Sequence, residues 1–169
     1  MTEKITRHDV NGLCTLTLNR PEKLNALDTE LFTQLDAHLA ALEAQTDRIG
    51  CVVLRGSGRG FCAGADLGAI DTTLGEYKPN IINRLGRLPQ PTLAAVHGVC
   101  YTGAVELALA CDFIVADASA RFADTHDSRT RSPSSISSRP TSVSRVAVRP
   151  MKMKGPSRRS SSSIASGVR

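Results

Sequence analysis

The feature that most restricts the fold of this chain is a repeated switch of hydrophobic period. From Asp28 to Gln45, Leu31, Leu35, Leu39 and Leu42 recur at spacings of four, four and three, one stripe of a helix. Asp28 is placed to cap its start, with Leu27 and Phe32 as a hydrophobic staple. Cys51-Val-Val-Leu54 then forms a short continuous apolar run ending in Arg55-Gly56, as expected of a buried parallel strand, and Leu93 to Val96 after Pro91 forms another. Between them lie a Gly-rich loop and a helical stretch around Ile81 to Leu88, and Glu106 to Ala110 (helix) and Phe113 to Val115 (strand) follow. At the front, Lys4 to Asp9 and Leu13 to Leu18 flank the turn Val10-Asn11-Gly12 as a hairpin. The order β-β-α-β-α-β-α-β demands crossover connections and an α/β architecture, with sites where strands hand over to helices.

The pattern stops near His126. Met1 to His126 holds 11 Lys/Arg against 15 Asp/Glu, whereas Asp127 to Arg169 holds 10 against 1, so the sequence pI near 9.2 belongs to the tail. The tail begins DSRTRSPSSISSRPTSVSRVAVRP, contains 14 Ser in 43 residues and no aromatic residue, and shows neither apolar period. We expect it to be a disordered basic segment, residues 127–169 beside a folded domain of residues 1–126. A change of reading frame near Asp127 accounts for its abrupt start better than a nucleic-acid-binding arm does.

Cys14, Cys51, Cys62, Cys100 and Cys111 are odd in number and lack a C-x-x-C pair, so neither a disulfide framework nor a zinc site is suggested. The N-terminus MTEKITRHDV has no signal h-region and no run reaches the ~18 apolar residues of a membrane span. We expect a soluble cytoplasmic protein.

Familiar loop motifs fail on spacing. Gly56-Ser-Gly-Arg-Gly60 follows a strand, but Phe61 stands where a dinucleotide-binding fingerprint needs its third glycine. Gly98 and Gly103 have the separation of a phosphate loop, but Ala104-Val105 replaces the required Lys-Ser/Thr. There is no G-x-S-x-G nucleophile elbow.

Three blocks remain: Asn19-Arg-Pro-Glu-Lys-Leu-Asn-Ala-Leu27, Gly60-Phe-Cys-Ala-Gly-Ala-Asp-Leu67, and His97-Gly-Val-Cys-Tyr-Thr-Gly-Ala-Val-Glu-Leu-Ala-Leu-Ala-Cys-Asp112. In order, spacing and wording, roughly from Ile5 to His126, they resemble the front half of the enoyl-CoA hydratase/isomerase (crotonase) family. The resemblance implies a spiral of β-β-α units, here truncated, that binds an acyl-CoA thioester and stabilises its enolate. The implied activity is hydration of 2-enoyl-CoA thioesters; delta-isomerisation, or an inactive acyl-CoA-binding fragment, are the alternatives. No metal or redox cofactor is implied, coenzyme A being part of the substrate. The family is usually trimeric, an expectation that this truncated pattern does not carry.

By the same resemblance, the backbone amides of Ala65 and Gly103 form the oxyanion hole. Each lies in a Gly/Ala-rich loop entering a helix, where small side chains let a ligand reach the backbone. Glu106, three residues after Gly103, takes the place of a catalytic acid/base. The family's second glutamate, twenty residues on, falls at His126, which can exchange protons near neutral pH and is the second catalytic candidate. Lys23 and Leu24, with Ala63, Gly64, Asp66 and Leu67, resemble the segments that line coenzyme A. Where the family commonly has three glycines, Thr102-Gly103-Ala104 keeps the middle donor and adds bulk on both sides, which narrows the expected pocket.

Overall fold

A computed structural model describes residues 3–66, 68, 80–123 and 146–148. Its front edge is the expected hairpin, β1 (Ile5–Val10) and β2 (Leu13–Leu18), in register from Ile5↔Leu18 to Val10↔Leu13. The turn needs only Asn11 and Gly12, whose φ values of 50° and 80° give the left-handed backbone that matches strand twist. On β2 the alternation is complete: Cys14, Leu16 and Leu18 are fully buried, while Leu13, Thr15 and Thr17 face the other way.

Helix α1 (Thr29–Glu43) buries Leu31, Phe32, Leu35, Leu39 and Leu42, each 0 % exposed. Asp28 caps it, one carboxylate oxygen accepting from the Leu31 N–H at 2.8 Å. Strands β3 (Cys51–Gly56), β4 (Thr92–Val96) and β6 (Phe113–Ala116) continue the sheet parallel to β2, each one or two residues longer than the apolar run that announced it. The helical residues 80–85 (α2) precede β4, and α3 (Gly103–Ala110) precedes β6.

The apolar runs of β3 and β4 are parallel strands as expected, and in β3 Val52 and Leu54 are buried on one face whereas Cys51 and Val53 are half-buried on the other. Among the described residues the helices share one core with a single face of the sheet. The other face borders a shallow cavity of about 420 Å³ lined by Leu13, Thr15, Val53, Arg55, Ala95 and Val115.

Two short strands had no sequence signal. β5 (Val99–Tyr101) and β7 (Arg121–Ala123) pair in parallel as a second sheet, and isolated parallel bridges join Leu27 to Ala65 and Cys62 to Cys100. The chain thus repeats one course: a strand in the main sheet, a short extended piece in the second layer, then a helix. Residues 13–43, 51–85 and 92–110 each complete it, and 113–123 begins it again. Successive turns stack in register, which is a β-β-α spiral. The tail contributes β8 (Val146–Val148), antiparallel to β6, a strand its composition did not announce. The rest of residues 124–169, with the expected domain boundary and its disorder, lies outside the described residues.

Candidate active site

The second layer brings two loops side by side. Cys62 bridges Cys100 in parallel, and from that pair the chain runs three residues to Ala65 on one side and three to Gly103 on the other. Gly64 shows how close the loops run. At its φ of 92°, an added Cβ would lie 2.8 Å from the Tyr101 carbonyl oxygen and 3.6 Å from Thr102 Cβ, so a side chain there would force the loops apart.

The direction of the Ala65 N–H follows from its peptide unit. The Gly64 carbonyl accepts from the Leu27 N–H at 2.8 Å, and in a trans peptide the following N–H points the opposite way. The Ala65 N–H therefore faces away from Leu27, at an exposed residue. Gly103 is the first residue of α3, where backbone N–H groups have no partner within the helix and the dipole favours negative charge. Its neighbour Thr102 holds φ 49° and ψ −110°, a costly conformation for a β-branched residue; the Thr102 carbonyl accepts from Val105 at 2.9 Å and Glu106 at 3.3 Å. Of the two side chains flanking Gly103, Ala104 is fully buried in the core and Thr102 is half-buried beside Gly64.

Lys23, Leu24, Ala63, Gly64 and Asp66 gather around the Ala65 loop. Leu24, at φ 50°, offers its carbonyl to the Ala63 N–H at 2.9 Å, and Lys23 is exposed at the end of the turn Pro21–Lys23. Asp66 is engaged by protein: one carboxylate oxygen lies 2.9 Å from Arg20 Nη2 and the other accepts from the Gly68 N–H at 3.1 Å. Glu106 is exposed in the first turn of α3, on the helix face that Gly103 begins. Leu67 and His126 lie outside the described residues.

Two residues inside the quoted blocks do more than the sequence reading assigned them. Asn25 is fully buried; its amide donates to the carbonyls of Ser57, Gly60 and Phe61 at 2.8, 2.9 and 3.2 Å, and its oxygen accepts from the Arg20 N–H at 2.9 Å. It ties the loop before α1 to the loop that carries Ala65. The signal was an amide between Leu24 and Ala26-Leu27, since a buried polar side chain must be satisfied. Cys62 is the second: its buried Sγ accepts from the Gly64 N–H at 3.4 Å. Among the described residues no group of three or more His, Cys, Asp or Glu could hold a metal ion.

This architecture has counterparts among known proteins. The family described as enoyl-CoA hydratase/isomerase matches residues 8–128. A 1,2-epoxyphenylacetyl-CoA isomerase of Escherichia coli is 42% identical over 134 residues, covering 72% of this chain and 50% of its own length. A 2,3-dehydroadipyl-CoA hydratase of the same organism is 41% identical, covering 63% of this chain and 44% of its own. The crystal structure of an enoyl-CoA hydratase/isomerase from Xanthobacter autotrophicus superimposes with a TM-score of 0.67 at 38% identity, over 72% of this chain and 48% of that one. The chain spans about half the length of the curated relatives it matches. It belongs to the enoyl-CoA hydratase/isomerase family.

Proposed function

We propose that this chain binds an acyl-CoA thioester with its carbonyl oxygen between the Ala65 and Gly103 amides, and that the reaction served is hydration of a 2-enoyl-CoA. The observation that supports this most is the close approach of the two loops that carry those residues, which leaves no room for a side chain at Gly64, with Gly103 at the first position of α3. When water adds to C3, the electron pair of the C2–C3 double bond moves onto the thioester oxygen, and the enolate then takes a proton at C2. Two fixed donors aimed at that oxygen stabilise the charge as it develops, and each is worth on the order of 3 kcal/mol in a dry site. Glu106, one helical turn beyond Gly103, is the group we assign to moving the proton.

Delta-isomerisation of a 3-enoyl-CoA is the second reading. Glu106 is the single assigned acid/base residue within the described region, and one carboxylate can shuttle a proton between two carbons. All five cysteines are unpaired and four are buried, which supports a reducing compartment, and we place the protein in the cytoplasm on that basis. Glu106→Gln is expected to lower crotonyl-CoA hydration by roughly 100-fold, measured as loss of the conjugated thioester absorbance. Equal turnover by the two proteins would remove Glu106 from the mechanism. Turnover at background in both, with retained preference for an enolate-like ligand, would leave a binding function only.

A further inference from the structure

We propose that Arg20 is the positioning residue of the oxyanion site: its guanidinium joins Asp28 to Asp66 and so fixes the direction of the Ala65 N–H. The inference rests on the reading of Ala65 as a donor. Leu27 and Ala65 form a parallel bridge in which Leu27 makes both hydrogen bonds, donating to the Gly64 carbonyl at 2.8 Å and accepting from the Asp66 N–H at 2.9 Å. The peptide unit that carries the proposed donor is thus held by Leu27 through the Gly64 carbonyl. The residues that follow the bridge pair are Asp28 and Asp66, and both carboxylates turn to Arg20. Nη1 lies 3.0 Å from Asp28 Oδ2, and Nη2 lies 2.9 Å from Asp66 Oδ2.

The arginine is itself held. Nη1 donates to the Ala26 carbonyl at 2.6 Å, and its own N–H donates to Asn25 Oδ1 at 2.9 Å. Its side chain is 12 % exposed, as is that of Asp66. Asp28 is anchored in turn by capping Leu31 and by Lys4 Nζ at 2.7 Å. One planar fork therefore closes the register one step beyond the bridge, between the cap of α1 and the loop bearing Ala65. A lysine can supply the charge there, but a single ammonium cannot reach both carboxylates and Ala26 with the same geometry.

The test compares binding of acetoacetyl-CoA, whose enolate places negative charge on oxygen, with binding of coenzyme A itself, and reads the ratio of the two dissociation constants. A partly unfolded population weakens both ligands by the same factor and cancels in the ratio. Arg20→Met, Arg20→Lys and the near-isosteric Asp66→Asn are expected to lower the preference for acetoacetyl-CoA by roughly tenfold to a hundredfold, the scale set by a displacement of about 1 Å at a reacting group. Arg84→Met removes an ion-pair cluster with Asp36 and Glu43 elsewhere on α1 and is expected to leave the ratio unchanged. A ratio kept within about twofold in Arg20→Met, or in Asp66→Asn should the first not fold, would overturn the positioning role while leaving the donor assignment standing. No preference for acetoacetyl-CoA in the unmodified chain would overturn the donor assignment and the positioning role with it.

Discussion

The resemblance places Asp66 among the residues lining coenzyme A, and the structure shows its carboxylate held by Arg20 and the Gly68 N–H. Hydrogen bonding from Arg20, then from the Gly68 N–H, holds its carboxyl below the ordinary 3.8. A depressed folded-state value adds stability that is fully present above the unfolded value and is lost as the pH falls through the folded one. Glu43 beside Arg84 and Asp9 beside Arg7 shift in the same direction, each chiefly through a hydrogen bond from its arginine. We therefore expect Tm to be flat above about pH 5 and to fall steadily below about pH 4. Arg20→Met should make that fall shallower, and an unchanged Tm between these values and pH 2 would contradict the assignment of these pairs. What could be read residue by residue was chemistry with a local signature, such as glycine where the backbone must approach. Asn25 and Arg20 act across tens of residues of sequence, so their partners were invisible until the loops were brought together.

Elements were legible in proportion to their length and to how much of their stability is local. Helix α1 declared itself through four leucines and a cap because a helix of fifteen residues repeats its apolar stripe several times. Leu39→Ala is expected to cost about 2–5 kcal/mol through the cavity it leaves, and Asp28→Ala about 1 kcal/mol or more through loss of the cap. Urea unfolding measures both, and a loss below about 1 kcal/mol for Leu39→Ala would mean that α1 is not packed as described. β5 and β7, three residues each, carry no period at all; they exist because the turn before them already has a strand to pair with. The apolar runs of β3 and β4 are the parallel strands expected, one face fully buried and the other partly covered. A continuous apolar run reports strand and hydrophobicity, not what covers the second face.

For the whole molecule, the proposed site follows from repetition. Strand, second-layer segment and helix recur, and each turn stacks on the last in register, so equivalent positions of successive turns become neighbours. Leu27 lies against Ala65, and Cys62 against Cys100. The loops that carry Ala65 and Gly103 lead on from that second pair and approach each other closely at Gly64 and Tyr101. On the proposed reading, the two donors are backbone groups of these neighbouring loops, with no side chain required to make them. Deleting a donor with proline at Gly103 would disturb more than the N–H, because Thr102 at ψ −110° lies outside the range favoured before proline. Observing the amides directly avoids this. With the backbone amides assigned by nuclear magnetic resonance, acetoacetyl-CoA is added to one sample and coenzyme A to another. If Ala65 and Gly103 hold the enolate oxygen, their two amide protons shift strongly downfield with acetoacetyl-CoA and stay near their free positions with coenzyme A. Shifts of the same size in both samples, or shifts that spare either amide, would contradict a two-donor site.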